Sequence, residues 1–550
     1  MISFILFLVL LPAAGFLINL VIPGKNEKLI SGITCTTVCV HMLAATLFIV
    51  YWLMHGHPVL NQKDIVLFRS PDYELFIDFY FDKITAVYLF TGSFLTFIAA
   101  HYSRQYLHRE KGYKRFFIMI LFFCLGYNTV ILSGNLETLF AGWEMLGISS
   151  FLLIAFYREK YLPLKNMLGI FFFYRISDAG LILAIWASHH VWHENLTFLN
   201  SGNHAVLHEH IQSHNLTGIF ISLLLLITAS AKSAQLPFSS WLPRAMEGPA
   251  PSSAIFYGAL SVHLGVFLLL RTFLFWEQQL SVRILITFTG LTTAIIATGI
   301  ARVQSSVKSR IAFASIAQTG LIFIEVAAGL KNIALFHFAG NAFLRTFQLL
   351  VYPTITNYLM RGQFYDFSPR TSSIENNLPK KLRNTFYIIC IKEWNLNSRI
   401  YRFLLNPSKM PGNRPSFLTF NRAIVIFIPA YLVGMFCLYQ KAVIPGEVKA
   451  FLPLLFLSIG LDQFHGHAYK HPKMAWLFLL CCLSFSGISV TPAFISENFI
   501  FSHIQENQLM PAFIIVMSLV INALAIIRIY ARVFSGPHAI SINEMAYRSL

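Results

Sequence analysis

Leu139-Phe-Ala-Gly-Trp-Glu144-Met-Leu-Gly-Ile-Ser-Ser-Phe-Leu-Leu-Ile-Ala-Phe-Tyr157 is an apolar stretch long enough to cross a bilayer, with one carboxylate inside it. A charge at membrane depth costs on the order of a few kcal/mol and survives only against protein or water with a partner. Lys232, His263, His337, Arg345 and Glu497 also lie inside apolar segments. One such residue is an accident of packing. Six of them, spread over successive spans, read as a polar line through the membrane, the material of an ion or proton path.

Working outward from Glu144, the same pattern recurs along the whole chain. The sequence is 56% hydrophobic and 15% aromatic, with 12% charged residues, against about 25% charged in an ordinary globular protein. Apolar runs of membrane-spanning length lie near 2–22, 30–53, 81–101, 116–133, 136–157, 167–188, 217–234, 251–275, 283–303, 310–329, 333–360, 422–440, 450–461, 474–490 and 511–534. The fold class is therefore an all-α polytopic membrane protein of about 14 transmembrane helices. A transmembrane barrel needs short alternating strands across its whole length, and the sequence does not offer them. The first run lacks the basic start of a cleaved leader, so it reads as a span.

The formal charge of +17 follows membrane topology rather than nucleic-acid binding. Loop 101–115 holds Arg104, Arg109, Lys111, Lys114 and Arg115; Arg158, Lys160 and Lys165 follow the fifth span; Arg302, Lys308 and Arg310 follow the ninth. Alternating spans put these loops on one side, the inner side, with the N-terminus outside a plasma (inner) membrane. Loop 189–216 then lies outside, with seven histidines and no Lys or Arg. Exposed, irregularly spaced histidines are more often solvated than metal-bound. The seven cysteines show no metal or cluster spacing and read as packing residues.

Two spans read as broken. Pro237 follows Lys232, and Pro492 precedes Glu497. Proline removes a backbone donor and frees a carbonyl at membrane depth. Such a break is either a simple kink or, beside an ionisable side chain in each half, the pattern of two inverted repeats in a transporter. The chain divides accordingly into N-terminal helices at 1–115, a first repeat at 116–275, a second at 276–534 and a tail at 535–550. The insert 361–420 carries ten Lys/Arg against three Asp/Glu. Its centre, 382–405, suits an interfacial helix, serving as an ordered connector or as a docking site for a cytoplasmic partner.

Three longer motifs carry a resemblance. Asn135 to Tyr157, Lys232 to Ala254 (Lys-Ser-Ala-Gln-Leu-Pro-Phe-Ser-Ser-Trp-Leu-Pro-Arg-Ala-Met-Glu-Gly-Pro-Ala-Pro-Ser-Ser-Ala) and Val307 to Gln318 resemble the antiporter-like L-type subunit of respiratory complex I. Arg175 and Asp178 match a further motif. The likeness runs from about Asp78 to Met360, and more loosely to the end. It implies two half-channels joined by a central charged line, with Glu144 and Lys232 as the coupled pair of the first repeat. Burial opposes both charged forms while their proximity favours both, so a moving charge can switch Lys232. Arg175, Asp178, Lys308 and Pro237 are the supporting residues. His263 and His337 bridge the middle, since a neutral imidazole passes a proton between its nitrogens. Glu497 loads or releases at the second break.

The second repeat departs from that family. Arg345 stands where a lysine is usual, and arginine does not give up its proton. Glu497 also replaces a lysine, and no long lateral helix follows the last span. These departures make the chain similar to the membrane subunit of DAB-type inorganic carbon complexes. That resemblance implies a large cytoplasmic zinc-binding, DabA-like partner akin to a β-carbonic anhydrase, with H+ or Na+ flow driving CO2 hydration to bicarbonate. Zinc is then expected in the partner, and this chain carries no cofactor, catalytic metal site, nucleotide loop or redox centre of its own. The alternatives are a proton-pumping subunit of an NADH-quinone oxidoreductase, a subunit of an Mrp-type cation/proton antiporter, or a membrane scaffold that conducts nothing.

Overall fold

The computed structural model describes residues 2–69, 74–192, 197–198, 215–365, 379–396 and 508–534, with a few single positions between 475 and 504. The helices are α1 (Ile2–Val21), α2 (Glu27–Met54), α3 (Lys83–Tyr106), α4 (Tyr113–Ile131), α5 (Leu136–Ile154), α6 (Tyr161–Trp192), α7 (Asn215–Lys232), α8 (Trp241–Ala245), α9 (Ala250–Arg271), α10 (Leu280–Val303), α11 (Val307–Ala327), α12 (Lys331–Tyr365), α13 (Lys380–Ile391) and α14 (Leu509–Phe534). Among the described residues, ten helices are long and apolar enough to cross a membrane. The helical polytopic class holds. The expected spans at 422–440 and 450–461 and the second break with Pro492 and Glu497 lie outside the described residues, and of the expected span at 474–490 only single positions are described.

One two-stranded element stands beside the helices. Strands β1 (Leu60–Arg69) and β2 (Glu74–Phe81) form an antiparallel hairpin that pairs Leu60 with Phe81 and Arg69 with Glu74, its register shifting between Lys63 and Ile65 and again between Val66 and Phe68. The alternating Glu-Leu-Phe-Ile-Asp-Phe-Tyr-Phe of β2 favours a half-buried strand, but it is too short and too close to the next span to stand out beside it. The hairpin rests on the α4–α5 turn. Tyr80 N–H donates to the Leu132 carbonyl at 2.8 Å, and Gly134 N–H donates to the Asp78 carbonyl at 2.7 Å.

Helix starts follow local chemistry. The Asp82 side chain accepts from Thr85 N–H at 2.9 Å and starts α3; the Asn135 side chain accepts from Thr138 N–H at 2.7 Å and starts α5. Small residues then let helices close up. A Cβ on Gly290 would stand 2.5 Å from the Gly320 carbonyl oxygen, and one on Gly142 would stand 2.8 Å from the Gly126 carbonyl oxygen. Both pairs therefore require glycine, and they set the close packing of α10 on α11 and of α4 on α5.

Buried polar groups are matched across helices. Pro12 in α1 cannot donate to the Leu8 carbonyl. The Asn128 amide of α4 takes that carbonyl at 3.2 Å, and it also meets His41 Nε2 at 2.8 Å. The basic loops share one face. Lys114 Nζ donates to the Leu20 and Ile22 carbonyls at 2.9 and 2.6 Å, Arg115 donates to the Phe156 carbonyl at 2.6 Å, and His108 meets Glu27 at 2.9 Å. The hairpin and the α4–α5 turn lie at the opposite ends of these helices.

Candidate functional site

Helix α7 stops at Lys232, where the sequence places its break. Proline at 237 denies an amide donor to the Ser233 carbonyl, and Ala234 has turned into the left-handed region with φ of 52°. Several of the groups around the break find partners. Trp241 Nε1 donates to the Ala231 carbonyl at 2.9 Å, the Gln235 amide donates to the Ser233 carbonyl at 3.0 Å, and Leu236 N–H donates to Thr293 Oγ1 at 3.0 Å. A broken helix is tolerated at membrane depth when its loose polar groups find such partners. Lys308, from the start of α11, secures the chain beyond the break by donating to the Met246 and Gly248 carbonyls at 3.2 and 3.0 Å.

The charged centre gathers residues from α5, α6 and α7. Glu144 and Arg175 are buried and paired, with Arg175 Nη1 donating to Glu144 Oε1 at 3.1 Å. The same guanidinium reaches Asp178 Oδ2 through Nη2 at 2.9 Å. Lys232, also buried, donates to the Trp143 carbonyl at 3.3 Å. Its ammonium lies 4.8 Å from the ring centres of both Trp143 and Tyr174, a contact worth roughly 0.5–2 kcal/mol. Arg175, which the sequence ranked as supporting, is thus the direct partner of Glu144. Lys232 sits beside that network, held by a carbonyl and two ring faces, with Asp178, Arg175 and Glu144 as the charges acting on it.

The line continues into α9. Ser233, next to Lys232, donates to the Val262 carbonyl, next to His263. Residues Ser253–Leu260 wind as a π-helix and Ser261–His263 as a tight 3-10 turn before α-helical geometry resumes at Leu264. Such irregular turns within transmembrane helices re-aim side chains and recur at functional sites. His263 is fully buried, with Nδ1 against the Ala259 carbonyl and Nε2 3.0 Å from the Asn341 amide nitrogen. A carbonyl only accepts, so Nδ1 carries the hydrogen and Nε2 accepts from Asn341. Asn341 Oδ1 in turn accepts from Arg345 Nε at 3.1 Å, and Arg345 also donates to Gln348 at 2.8 Å and to the Ala314 carbonyl at 3.3 Å.

His337 belongs to a separate group. Its Nδ1 lies 2.7 Å from Glu325 Oε1 and its Nε2 lies 2.9 Å from Gln318 Oε1. The two histidines therefore do not meet; Asn341 is the hydrogen-bond partner of His263. Glu325 escaped the sequence reading although it carries the same signal as Glu144, an acid in an apolar helix. Arg271 escaped it too. It pairs with Asp82 at 3.0 Å beneath the hairpin and is buried among Tyr80, Phe198 and Phe267. Glu497 lies outside the described residues. Chemically, Glu144, Asp178, Lys232 and His263 can exchange protons. Asn341 and Arg345 cannot near neutral pH, so they orient His263 and add a fixed charge. No group of three or more metal-ligating side chains occurs among the described residues.

Comparisons with known proteins bear on this geometry. The family model described as NADH:quinone oxidoreductase/Mrp antiporter, TM, matches residues 133–368, and that described as NADH-Ubiquinone oxidoreductase (complex I), chain 5 N-terminus, matches residues 68–117. NADH-quinone oxidoreductase subunit L of Rickettsia bellii (strain RML369-C) is 29% identical over 356 residues, 63% of this chain and 55% of that one. NAD(P)H-quinone oxidoreductase subunit 5, chloroplastic, of Nephroselmis olivacea is 30% identical over 297 residues, 54% of this chain and 46% of that one. The chain thus spans about half the length of the curated relatives it matches. A chain in the structure of the Mrp complex from Dietzia sp. DQ12-45-1b shares the fold, with a TM-score of 0.51 at 17% identity, covering 98% of this chain and 48% of that one. Residues 68–117 and 133–368, which hold the charged line from Glu144 to Arg345, are the part of the chain that is similar to the antiporter-like membrane subunits of complex I and Mrp antiporters.

Proposed function

We propose that this chain is the proton-translocating membrane subunit of an antiporter-like assembly, with Na+ as the alternative ion. The observation that carries the reading is the buried Glu144–Arg175–Asp178 network beside Lys232, at the end of a broken transmembrane helix. Ionisable groups placed so deep are expensive, and a path for ions is the usual reason they are there. In this reading Glu144 and Lys232 form the entry relay, Arg175 and Asp178 set the field around it, and His263 receives the proton beyond the break. His337 with Glu325, and Glu497, serve the second repeat. The repeats divide at about residue 276, and the basic-loop face is cytoplasmic.

The test is proton flux into proteoliposomes holding the purified chain, driven by a potassium diffusion potential and read with an entrapped pH dye. The wild type should carry flux and Glu144→Gln should fall to the level of protein-free vesicles while keeping its thermal unfolding temperature. Wild-type flux in Glu144→Gln would sink the relay.

The quinone-oxidoreductase and Mrp relatives favour neighbouring hydrophobic subunits as partners. The coupling to inorganic carbon keeps one specific support, Arg345 in place of a relay lysine. Affinity purification from detergent separates the two. A set of hydrophobic subunits supports the oxidoreductase or antiporter reading. A single large zinc-containing soluble chain would replace it with CO2 hydration in the partner.

A further inference from the structure

Helix α5 carries a second buried carboxyl on the face that holds Glu144. Glu137 lies seven residues earlier, two turns or roughly 10 Å along the axis. It is 5% exposed, and its Oε2 has no hydrogen-bond partner. The hairpin covers it. Asp78 N–H donates to Thr138 Oγ1 at 3.1 Å, and the Asn135 amide donates to the Phe76 carbonyl at 3.1 Å. Asp78 is buried there and acts electrostatically on Glu137.

An acid in the first turn of a helix has an ordinary use, since it faces the positive end of the helix dipole. That use asks for no burial, and Asn135 already caps this helix start. A carboxylate shut away from water with an unpartnered oxygen costs several kcal/mol unless it takes up a proton. Its place, between the hairpin face and Glu144, is where a path entering from that face would need a proton binder.

We propose that Glu137 is a proton-loading residue at the hairpin-side mouth of the path, feeding Glu144 along one face of α5. A proton from water at that face bonds to a carboxylate oxygen of Glu137 and is then released to the next acceptor inward. Each transfer breaks one bond to hydrogen and forms another: hydronium gives up its O–H to Glu137 and becomes water, and Glu137 gives its O–H to the next acceptor and returns to carboxylate. The proposal rests on the proton-translocating reading above.

The experiment uses the full chain in proteoliposomes with dicyclohexylcarbodiimide, which modifies protonated carboxyls in apolar surroundings. Peptide mass mapping should find the adduct on Glu137, with loss of flux. Glu137→Gln should lose both the adduct and the flux, and Glu137→Asp should recover part of each. Absence of an adduct on Glu137 overturns the proposal, and this arm needs no variant to fold. Glu137→Gln conducting like wild type, while Glu144→Gln does not conduct, overturns it and leaves the broader function standing. A wild type without flux overturns both.

Discussion

Arg175 and Glu144 meet at 3.1 Å in the protein interior, and the same guanidinium holds Asp178 at 2.9 Å. One cation therefore bridges two buried carboxylates. Arg175→Ala should destabilise the protein by about 3–5 kcal/mol, because it leaves buried charge unpaired. Arg175→Lys should fall between wild type and Ala, since a lysine keeps the charge but not the two-pronged geometry. Thermal unfolding in detergent reads both variants. An unchanged transition in Arg175→Ala would show that the carboxylates are balanced elsewhere.

Lys232→Arg separates charge from proton exchange. Arginine keeps a cation near the Trp143 and Tyr174 rings, and it does not release its proton in the working range. Flux in proteoliposomes should be lost while the unfolding temperature stays close to wild type. Retained flux would remove Lys232 from the relay.

Trp241→Phe tests the broken helix. It keeps most of the ring in the core and deletes the donor to the Ala231 carbonyl. An unsatisfied buried carbonyl costs roughly 1–3 kcal/mol, so the variant should melt earlier by that amount. No loss of stability would mean that another donor reaches Ala231.

Glu247, in the loop after the break, gives a pH dependence. Burial raises its pKa above the ordinary value, while Lys308 and Lys160 pull the other way and do not cancel the rise. The folded chain therefore binds this proton more tightly than the unfolded chain. Its contribution to stability is fully present below the unfolded glutamate value of about 4.3 and is lost as pH rises through the folded value. Glu247→Gln should remove that dependence, so wild type and variant should diverge across this window when melting is followed against pH. Parallel curves would refute it.

Arg244 ties the short helix α8 to the surface segment through Glu393 at 3.0 Å. The pair is partly exposed, so its worth is about 0–1 kcal/mol. Arg244→Ala should raise hydrogen exchange in residues 380–395 while leaving α5 and α6 unchanged. Equal exchange in both proteins would show that packing on α10 alone holds the segment.

Much of this architecture is legible along the chain because it depends on local sums. A run of apolar residues marks a span wherever it sits, and α1 to α6 begin and end within a few residues of the expected limits, apart from longer ends on α6. Glu144, Lys232 and His263 stand out for the same reason, as isolated polar groups in apolar runs. Glu325 and Glu137 carry that signal as well but lie nearer helix ends, where an acid has ordinary uses. The hairpin was hidden by the hydrophobic helix that follows it. On α12, His337 and Asn341 are one turn apart, and it is Asn341 that hydrogen-bonds His263, a pairing no spacing in the chain announces.

By itself, then, the sequence determined a helical membrane protein with charge inside its spans and a break after Lys232, because hydropathy and proline chemistry act residue by residue. The tertiary structure decided the partners: Arg175 for Glu144 from 31 residues away, Asn341 for His263 from 78 and Trp143 for Lys232 from 89. A hydrogen bond or ion pair forms only at a few ångströms and at the right angle. Which groups meet those limits follows from how the helices pack, and no stretch of chain contains that by itself.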